Sequence, residues 1–449
     1  MKSTGNIYTI CKDGDFKTRL SFLIMGAGNL LRRQYIKGLL FLAAEAAYLF
    51  YMISFGWSGL YDLVTLGTVQ QGSVYDPSVG FNVTVTGDNS MLCMIYGVLT
   101  LLLTACFLVI YYVNLKSAFY TQRLVEAGGR APSFTDDLKQ LLDQKFHMTM
   151  MTVPLLGIGA FTVLPLIFMI LIAFTNYDRS HQPPGNLFDW VGLQNFRSML
   201  WENDLLSGTF FPVLVWTLIW AVAATVSCYL LGIAVALLIN KQGIRFKPLW
   251  RTILVLTIAI PQFISLLVMR NMLNRFGPIN TLLQNAGLID SALPFLTDVT
   301  WARVTVIVVN LWIGIPYTML MTSGILMNIP TDLYEAARID GAGPFKMFVK
   351  ITMPQIWFVT APFMITQFIG NINNFNVIYL LTGGEPLATD YYVAGKTDLL
   401  VTWLYKLTAD EKDYNLASTI GILVFIISIV FSLIAYRRTS AYKKEEQFA

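Results

Sequence analysis

Two short sets of polar residues stand in stretches that are otherwise apolar enough to lie in hydrocarbon. Asn310, Gly314 and Tyr317 are spaced i, i+4, i+7, and Gln367, Asn371 and Asn374 repeat that spacing. Each set therefore falls on one face of a helix. Amide side chains both donate and accept hydrogen bonds, and Phe368 and Phe375 each lie one residue beyond a member of the second set. Amides beside aromatic rings suit a sugar, whose hydroxyls need donors and acceptors and whose C–H faces stack on rings. The competing reading is that the amides only join helices, at about 0.6 kcal/mol each. One pair would serve for that, and six matched positions exceed the need.

A second segment has the spacing of a mechanical part. Pro330-Thr331-Asp332-Leu333-Tyr334-Glu335-Ala336-Ala337-Arg338-Ile339-Asp340-Gly341-Ala342-Gly343-Pro344 runs on to Ile351-Thr352-Met353-Pro354. Asp332 can cap a helix start with Glu335 completing a capping box, and Gly341 sits where a left-handed stop is needed. Pro344 suits the first turn of a second helix. Ala336 and Ala337 give the first helix a small face that another protein could approach closely. Capping and spacing leave two readings open, a docking projection or an ordinary loop helix.

Reaction chemistry is harder to place. No Gly-x-x-x-x-Gly-Lys-Ser/Thr loop occurs, so the chain has no familiar cradle for a nucleotide's phosphates. His147 and His181 fall in loops and read as solvated surface residues. Cys11 lies before the first apolar run, and Cys93, Cys106 and Cys228 lie within such runs, which argues against a disulfide framework or a metal knuckle. The expected catalytic and metal sites are thus none. Glu45 stands alone within an apolar run; a packing contact to one polar partner is a simpler account of it than a proton relay, because no second acid lies in any span.

The elements that must hold these residues follow from composition. Hydrophobic residues make up 55% of the 449 positions, charged residues 13%, and the mean hydropathy is +0.58, whereas a soluble domain carries about a quarter charged residues. Eight apolar runs are long enough to cross about 30 Å of hydrocarbon as helix: Ile36–Phe55, Met91–Val113, Val153–Phe174, Phe211–Ile239, Ile253–Met269, Val304–Met327, Trp357–Leu381 and Ser418–Tyr436. Pro261 and Pro316 are placed to kink the fifth and sixth. With both termini cytoplasmic, 23 of the 31 Lys and Arg fall on the inner side, as positive residues resist translocation. The formal charge of +4 then sits at the inner leaflet and needs no nucleic acid. The first 35 residues are polar and show no cleavable signal peptide. Ser133 and Asp136 have capping-box spacing for a surface helix in the linker after the second run. The expectation is an all-α integral membrane protein: residues 1–150 hold an N-terminal segment, two extra spans and a linker, residues 151–440 a six-span core with the capped segment at 330–354, and residues 441–449 a cytoplasmic tail.

Glu335-Ala336-Ala337, then Gly341, then Ile351 and Pro354, with Met353 in a position usually Leu, resembles the cytoplasmic signature of ABC importer permeases. The resemblance extends from about Val153 to the C-terminus and includes Trp190 to Phe196, Asp340 to Gly343 and Leu380 to Gly384. Among these permeases the chain looks most like the larger subunit of maltose or maltodextrin importers, though it lacks the very long outer loop that some members insert after the third span. The resemblance implies a coupling helix made by Glu335, Ala336, Ala337, Asp340, Gly341 and Pro354. It also implies a sugar site at Asn310, Gly314, Tyr317, Asn371 and Asn374, with Gly370 where the family can have an aromatic ring and Gln367 where it can have a hydroxyl. Implied partners are a second homologous permease, two ATP-binding subunits that bind ATP and magnesium, an extracellular solute-binding protein and the lipid bilayer. No cofactor in this chain is implied. The rival expectations are another cargo on the same machine, such as glycerol phosphate, or an ion-driven secondary transporter, which would require intramembrane acids and inverted repeats.

Overall fold

The computed structural model describes residues 6–241 and 243–437. Among them seven helices are long and apolar enough to cross a membrane, or eight if one bent pair counts as a span. The chain is an all-α integral membrane protein, as helices satisfy every backbone group within themselves where lipid offers no partner. It divides into two compact units, Met1–Val191 and Gly192–Ala449. That boundary follows the third span, whereas the sequence reading draws it before that span, at residue 150. The tail at 441–449 lies outside the described residues.

In the first unit, α1 (Ile7–Asp13), α2 (Phe16–Leu20) and α3 (Ala27–Leu30) precede the first span. That span is α4 (Tyr35–Tyr51), a π-turn at Met52–Gly56 and α5 (Trp57–Thr65). A hairpin that the sequence reading does not anticipate follows, with β1 (Gly72–Asp76) antiparallel to β2 (Phe81–Val85) and Gly72 opposite Val85. The second span, α6 (Ser90–Glu126), continues well beyond Val113 because Leu115, Ala118, Phe119 and Gln122 give it a buried face at helical spacing. Ile10 packs there with Leu115 and Phe119. Gln122 Oε1 accepts from the Asp15 N–H at 3.0 Å and the Thr18 hydroxyl at 2.8 Å, and Arg32 pairs with Asp15 at 2.6 Å. Burial raises the Asp15 carboxyl, but the Thr18 bonds and Arg32 outweigh it and hold the group below its ordinary value. The polar N-terminal segment is therefore folded onto α6. Glu45 Oε2 accepts from the Met25 N–H at 2.8 Å, the single polar contact expected of it. The linker carries α7 (Phe134–Leu142), capped by Ser133 and Asp136. The third span is α8 (Phe146–Ile158), a π-turn at Gly159–Val163 and α9 (Leu164–Ile172), and α9 packs on α6.

The second unit starts with α10 (Gln194–Arg197) and is built around α11 (Asp204–Asn240) and α15 (Val299–Asn328). A Cβ on Gly232 would run into Thr318, and one on Gly314 into Cys228, so these glycines set how closely α11 and α15 approach. Between them lie α12 (Lys247–Ala259), α13 (Gln262–Met272) and α14 (Pro278–Asn285). The fifth span, read as continuous, is broken: α12 and α13 meet at 92°. Pro261 lacks an N–H and disfavours helix in the residue before it, and Ile260 is accordingly extended at φ −83°, ψ 128°. Pro316, by contrast, stays within an uninterrupted α15.

After α15 come α16 (Thr331–Ile339), α17 (Pro344–Met347), a π-turn at Phe348–Thr352 and α18 (Met353–Ile372). The seventh span is interrupted for two residues, Asn373 and Asn374, between α18 and α19 (Phe375–Leu381), without the sharp bend of the fifth. The chain closes with α20 (Leu400–Lys406) and α21 (Tyr414–Arg437).

The loop between α19 and α20 is fastened by a buried ion pair. Lys406 Nζ lies 2.6 Å from Asp398 Oδ2, the Asp398 side chain is wholly buried, and the Gly395 N–H donates to the same oxygen at 2.7 Å. Burial pushes the Asp398 carboxyl up, opposed by Lys406 and the Gly395 bond. Gly384, at φ +86°, abuts that carboxylate, which leaves no room for a Cβ. Trp216 Nε1 donates to Thr397 O at 3.1 Å and ties the loop to α11. Removing one member of such a pair leaves a buried charge, at about 3–5 kcal/mol. Lys406→Ala should therefore lower the thermal midpoint of the detergent-solubilised chain sharply, while Asp398→Asn with Lys406→Met should recover most of the loss; equal midpoints for the single variant and the parent would contradict this.

Candidate functional site

Four segments of the second unit enclose a partly open cavity of about 150 Å³. Asn310, Gly314 and Tyr317 line it from α15, and Gln367 and Asn371 from α18, with Asn374 just beyond. Six of the seven residues that the resemblance and the stripes assign to substrate are thus brought together. Gly370 is not among the lining residues; it precedes Asn371 by one position and so points about 100° away from it around α18.

The manner of assembly differs from the sequence reading in two respects. Asn374 does not continue the helix of Gln367 and Asn371. It follows the break at Asn373 and caps α19, its side chain accepting from the Val377 N–H at 3.3 Å. Nor do the expected rings face the cavity. Phe368 is buried against Phe431 at 3.9 Å between ring centroids, and Phe375 stacks on Tyr379 at 4.8 Å. The aromatic lining comes instead from Tyr229, Tyr317 and Phe363.

Some polar groups here are occupied and others are free. Asn371 Nδ2 donates to Thr225 Oγ1 at 2.9 Å, Asn374 Nδ2 donates to Asn371 Oδ1 at 3.3 Å, and Trp220 Nε1 holds the Asn371 carbonyl at 3.1 Å. Asn310 Nδ2 reaches Cys228 Sγ at 3.5 Å. Tyr317 and Gln367 are exposed to the opening and have no side-chain hydrogen bond to the described residues. No lining side chain carries a charge. The site therefore offers amide, hydroxyl and ring surface without an electrostatic preference, which fits a neutral, hydroxyl-rich ligand.

Sequence reasoning missed Thr225, Cys228 and Tyr229 on α11 and Gln262 at the start of α13. The first three have a readable signal, the spacing i, i+3, i+4 within an apolar run. Gln262 has a weaker one, a polar residue directly after the helix-breaking Pro261. Asn376 Nδ2 donates to Gln262 Oε1 at 3.4 Å, linking the two interrupted spans.

The capped segment forms the elbow read from its residues, apart from its start. Pro330 occupies the N-cap and no side chain caps α16, so Asp332 lies inside the first turn and does not form a box with Glu335. Proline's fixed φ both ends α15 and starts α16. The far end has the expected geometry: Gly341 is at φ +76°, its N–H donates to Arg338 O at 3.0 Å, and the Ala342 N–H donates to Ala337 O at 2.9 Å, the paired bonds of a Schellman stop. Pro344 opens α17. Glu335, Ala336, Asp340, Gly341 and Pro354 are exposed and Ala337 half-buried. Ile339 and Phe345 are 87% and 80% exposed at the elbow. The Tyr334 hydroxyl bonds Thr352 Oγ1 at 2.9 Å, joining the elbow to the base of α18.

Spanning helices, a polar cavity among them and a projecting elbow together define a membrane transport subunit. Residues 228–441 match the family described as binding-protein-dependent transport system inner membrane component. The chain is 37% identical to the galactooligosaccharides transport system permease protein GanP of Bacillus subtilis, across 94% of this chain and 97% of that one. It is 34% identical to the maltodextrin transport system permease protein MalC of Streptococcus pneumoniae, across 96% and 97%. A bacterial alginate ABC transporter, solved in complex with an alginate pentasaccharide-bound periplasmic protein, shares the fold with a TM-score of 0.55 at 23% identity, over 67% of this chain and 96% of that chain. The protein belongs to the family of inner membrane components of binding-protein-dependent transport systems.

Close helix approach under the cavity predicts a specific pair effect. Gly314→Ala places a methyl group against Cys228 Sγ and should cost about 1–3 kcal/mol. Adding Cys228→Ala removes the sulfur and should restore most of the thermal midpoint. Purely additive losses in a double-mutant cycle would show that the contact does not set the helix spacing.

Proposed function

We propose that this chain is the larger permease subunit of an ATP-driven importer of neutral oligosaccharides of maltodextrin or galactooligosaccharide type. The observation that carries the reading is the uncharged cavity in which amides, hydroxyls and rings from α11, α13, α15 and α18 converge. An anionic cargo such as glycerol phosphate would call for basic residues there, and the lining has none. Tyr317 and Gln367, whose polar atoms are free, are the groups assigned to the sugar hydroxyls. Asn310, Asn371 and Asn374, already bonded within the protein, hold the cavity's shape and present their remaining donors and acceptors.

The elbow at 330–354 supplies the drive. Glu335, Ala336, Ala337, Asp340 and Gly341 dock into one of two ATPase subunits, which bind ATP and magnesium, and a second permease completes the pathway from the other side. The Tyr334–Thr352 bond passes displacement of α16 to α18, and Gln367 stands about 22 Å along helix from that anchor. Nucleotide binding thereby biases the cavity toward one membrane face, and an extracellular solute-binding protein delivers the sugar at the other. Such a bias arises only if the ATPase contacts differ between the two states. The two N-terminal spans are an addition to the six-span core, and both termini lie in the cytoplasm with the excess of positive charge.

Coupling is testable at Gly341. Gly341→Asp adds a carboxylate at an exposed left-handed turn, φ +76°, that glycine accepts most readily, within the surface assigned to the ATPase contact and away from the spans. Sugar uptake and sugar-stimulated ATP hydrolysis by the reconstituted complex should both fall several-fold. Survival of both activities in a correctly inserted variant, or sugar accumulation by the chain reconstituted without ATPase subunits, refutes the proposal.

A further inference from the structure

A second hollow, of about 450 Å³, lies beside the N-terminal half of α11. Its wall is mostly apolar: Phe211, Val215 and Ile219 recur at i, i+4, i+8 and are 47%, 54% and 52% exposed, and Pro212, Trp216 and Tyr391 complete it beside Arg303. The 37 residues of α11 extend for about 55 Å, longer than the hydrocarbon layer of about 30 Å. With the layer centred on the helix, Phe211 stands near its edge and Ile219 within about 5 Å of its middle. This track is the length and depth of one leaflet.

The head of the track is cationic. Arg303 stands in the first turns of α15, at the end of that helix opposite the elbow, where Lys and Arg are otherwise sparse. Its guanidinium lies 4.5 Å from the centre of the Trp216 ring, and its Nε and Nη2 donate to the Lys396 carbonyl at 3.1 and 3.0 Å. No carboxylate among the described residues forms an ion pair with it, and its Nη1 makes no hydrogen bond to them. The neighbouring Lys396 is neutralised by Asp390 at 2.8 Å, so one positive charge is left over where the apolar track meets the interface. A guanidinium fixed by a ring and a carbonyl, with Nη1 making no hydrogen bond to the described residues, is preorganised for a phosphate.

We propose that this groove binds one anionic phospholipid, its phosphate on Arg303 and an acyl chain laid along Phe211 to Ile219. Leftover charge distinguishes the site from the generally apolar surface of the spans, and the leaflet-length track distinguishes it from a site for free phosphate. The site is separate from the sugar cavity, with which it shares no lining residue.

The test uses the chain purified with its partner subunits and native mass spectrometry after addition of phosphatidylglycerol or phosphatidylcholine. The parent complex should retain one phosphatidylglycerol more tightly than phosphatidylcholine. Loss of a charge-assisted contact in Arg303→Gln should weaken retention roughly tenfold or more. Ile219→Trp, which fills the track without touching the charge, should weaken it as well, whereas Leu230→Trp, exposed elsewhere on α11, should behave as the parent. Unchanged retention in both Arg303→Gln and Ile219→Trp overturns the proposal, and so does equal retention of the two lipids. Displacement of the lipid by inorganic phosphate would reduce the site to a phosphate site, and binding to the lone chain but not to the complex would assign the groove to a partner subunit; either result also overturns it.

Discussion

Hydrocarbon offers no hydrogen bonds, so each polar side chain placed within a span must find a partner in the protein or face a water-filled space. Much of the second unit can be understood from that constraint. Asn371 and Asn374 satisfy one another and Thr225, and Asn310 is held against Cys228. Tyr317 and Gln367 are left facing the opening. Where Pro261 and Asn373 interrupt helices, the next polar residues, Gln262 and Asn374, line the cavity.

Small residues make that arrangement possible. Gly232 and Gly314 remove the side chains that would hold α11 and α15 apart, and the close crossing brings Cys228 and Tyr229 onto the same cavity wall as Asn310 and Tyr317. Packing between membrane helices gains little from the hydrophobic effect and depends on such close approach. Gly314 thus acts both as a wall of the cavity and as the reason the wall is continuous. The Asp398–Lys406 pair, the Gly384 turn and the Trp216–Thr397 bond hold the loop between α19 and α20 against α11.

Particular elements show how much of this was readable beforehand. The apolar runs locate seven spanning helices and, at the fifth, the bent pair α12 and α13, and the i, i+4, i+7 stripes bring six residues to one cavity, because both signals depend on local helical period. The same logic failed where the helix stopped. Asn374 reaches the cavity as a cap on α19, Phe368 and Phe375 turn away into packing, and Gly370, which the resemblance and not the stripe assigns, does not line the cavity. Gly341 and Pro344 were legible because their roles are fixed by local backbone geometry. Asp332 does not cap because Pro330 takes the N-cap two residues earlier.

The sequence by itself determined that the chain crosses a membrane repeatedly and that an elbow with a glycine stop at Gly341 stands between its later spans; run length and turn chemistry are local properties that need no tertiary information. Only the tertiary structure decided which polar residues meet, which remain free, and that Thr225, Tyr229 and Gln262 belong with them. Those outcomes depend on helix crossings and on the 92° break at Pro261, and contacts between residues a hundred positions apart leave no periodic trace in the chain.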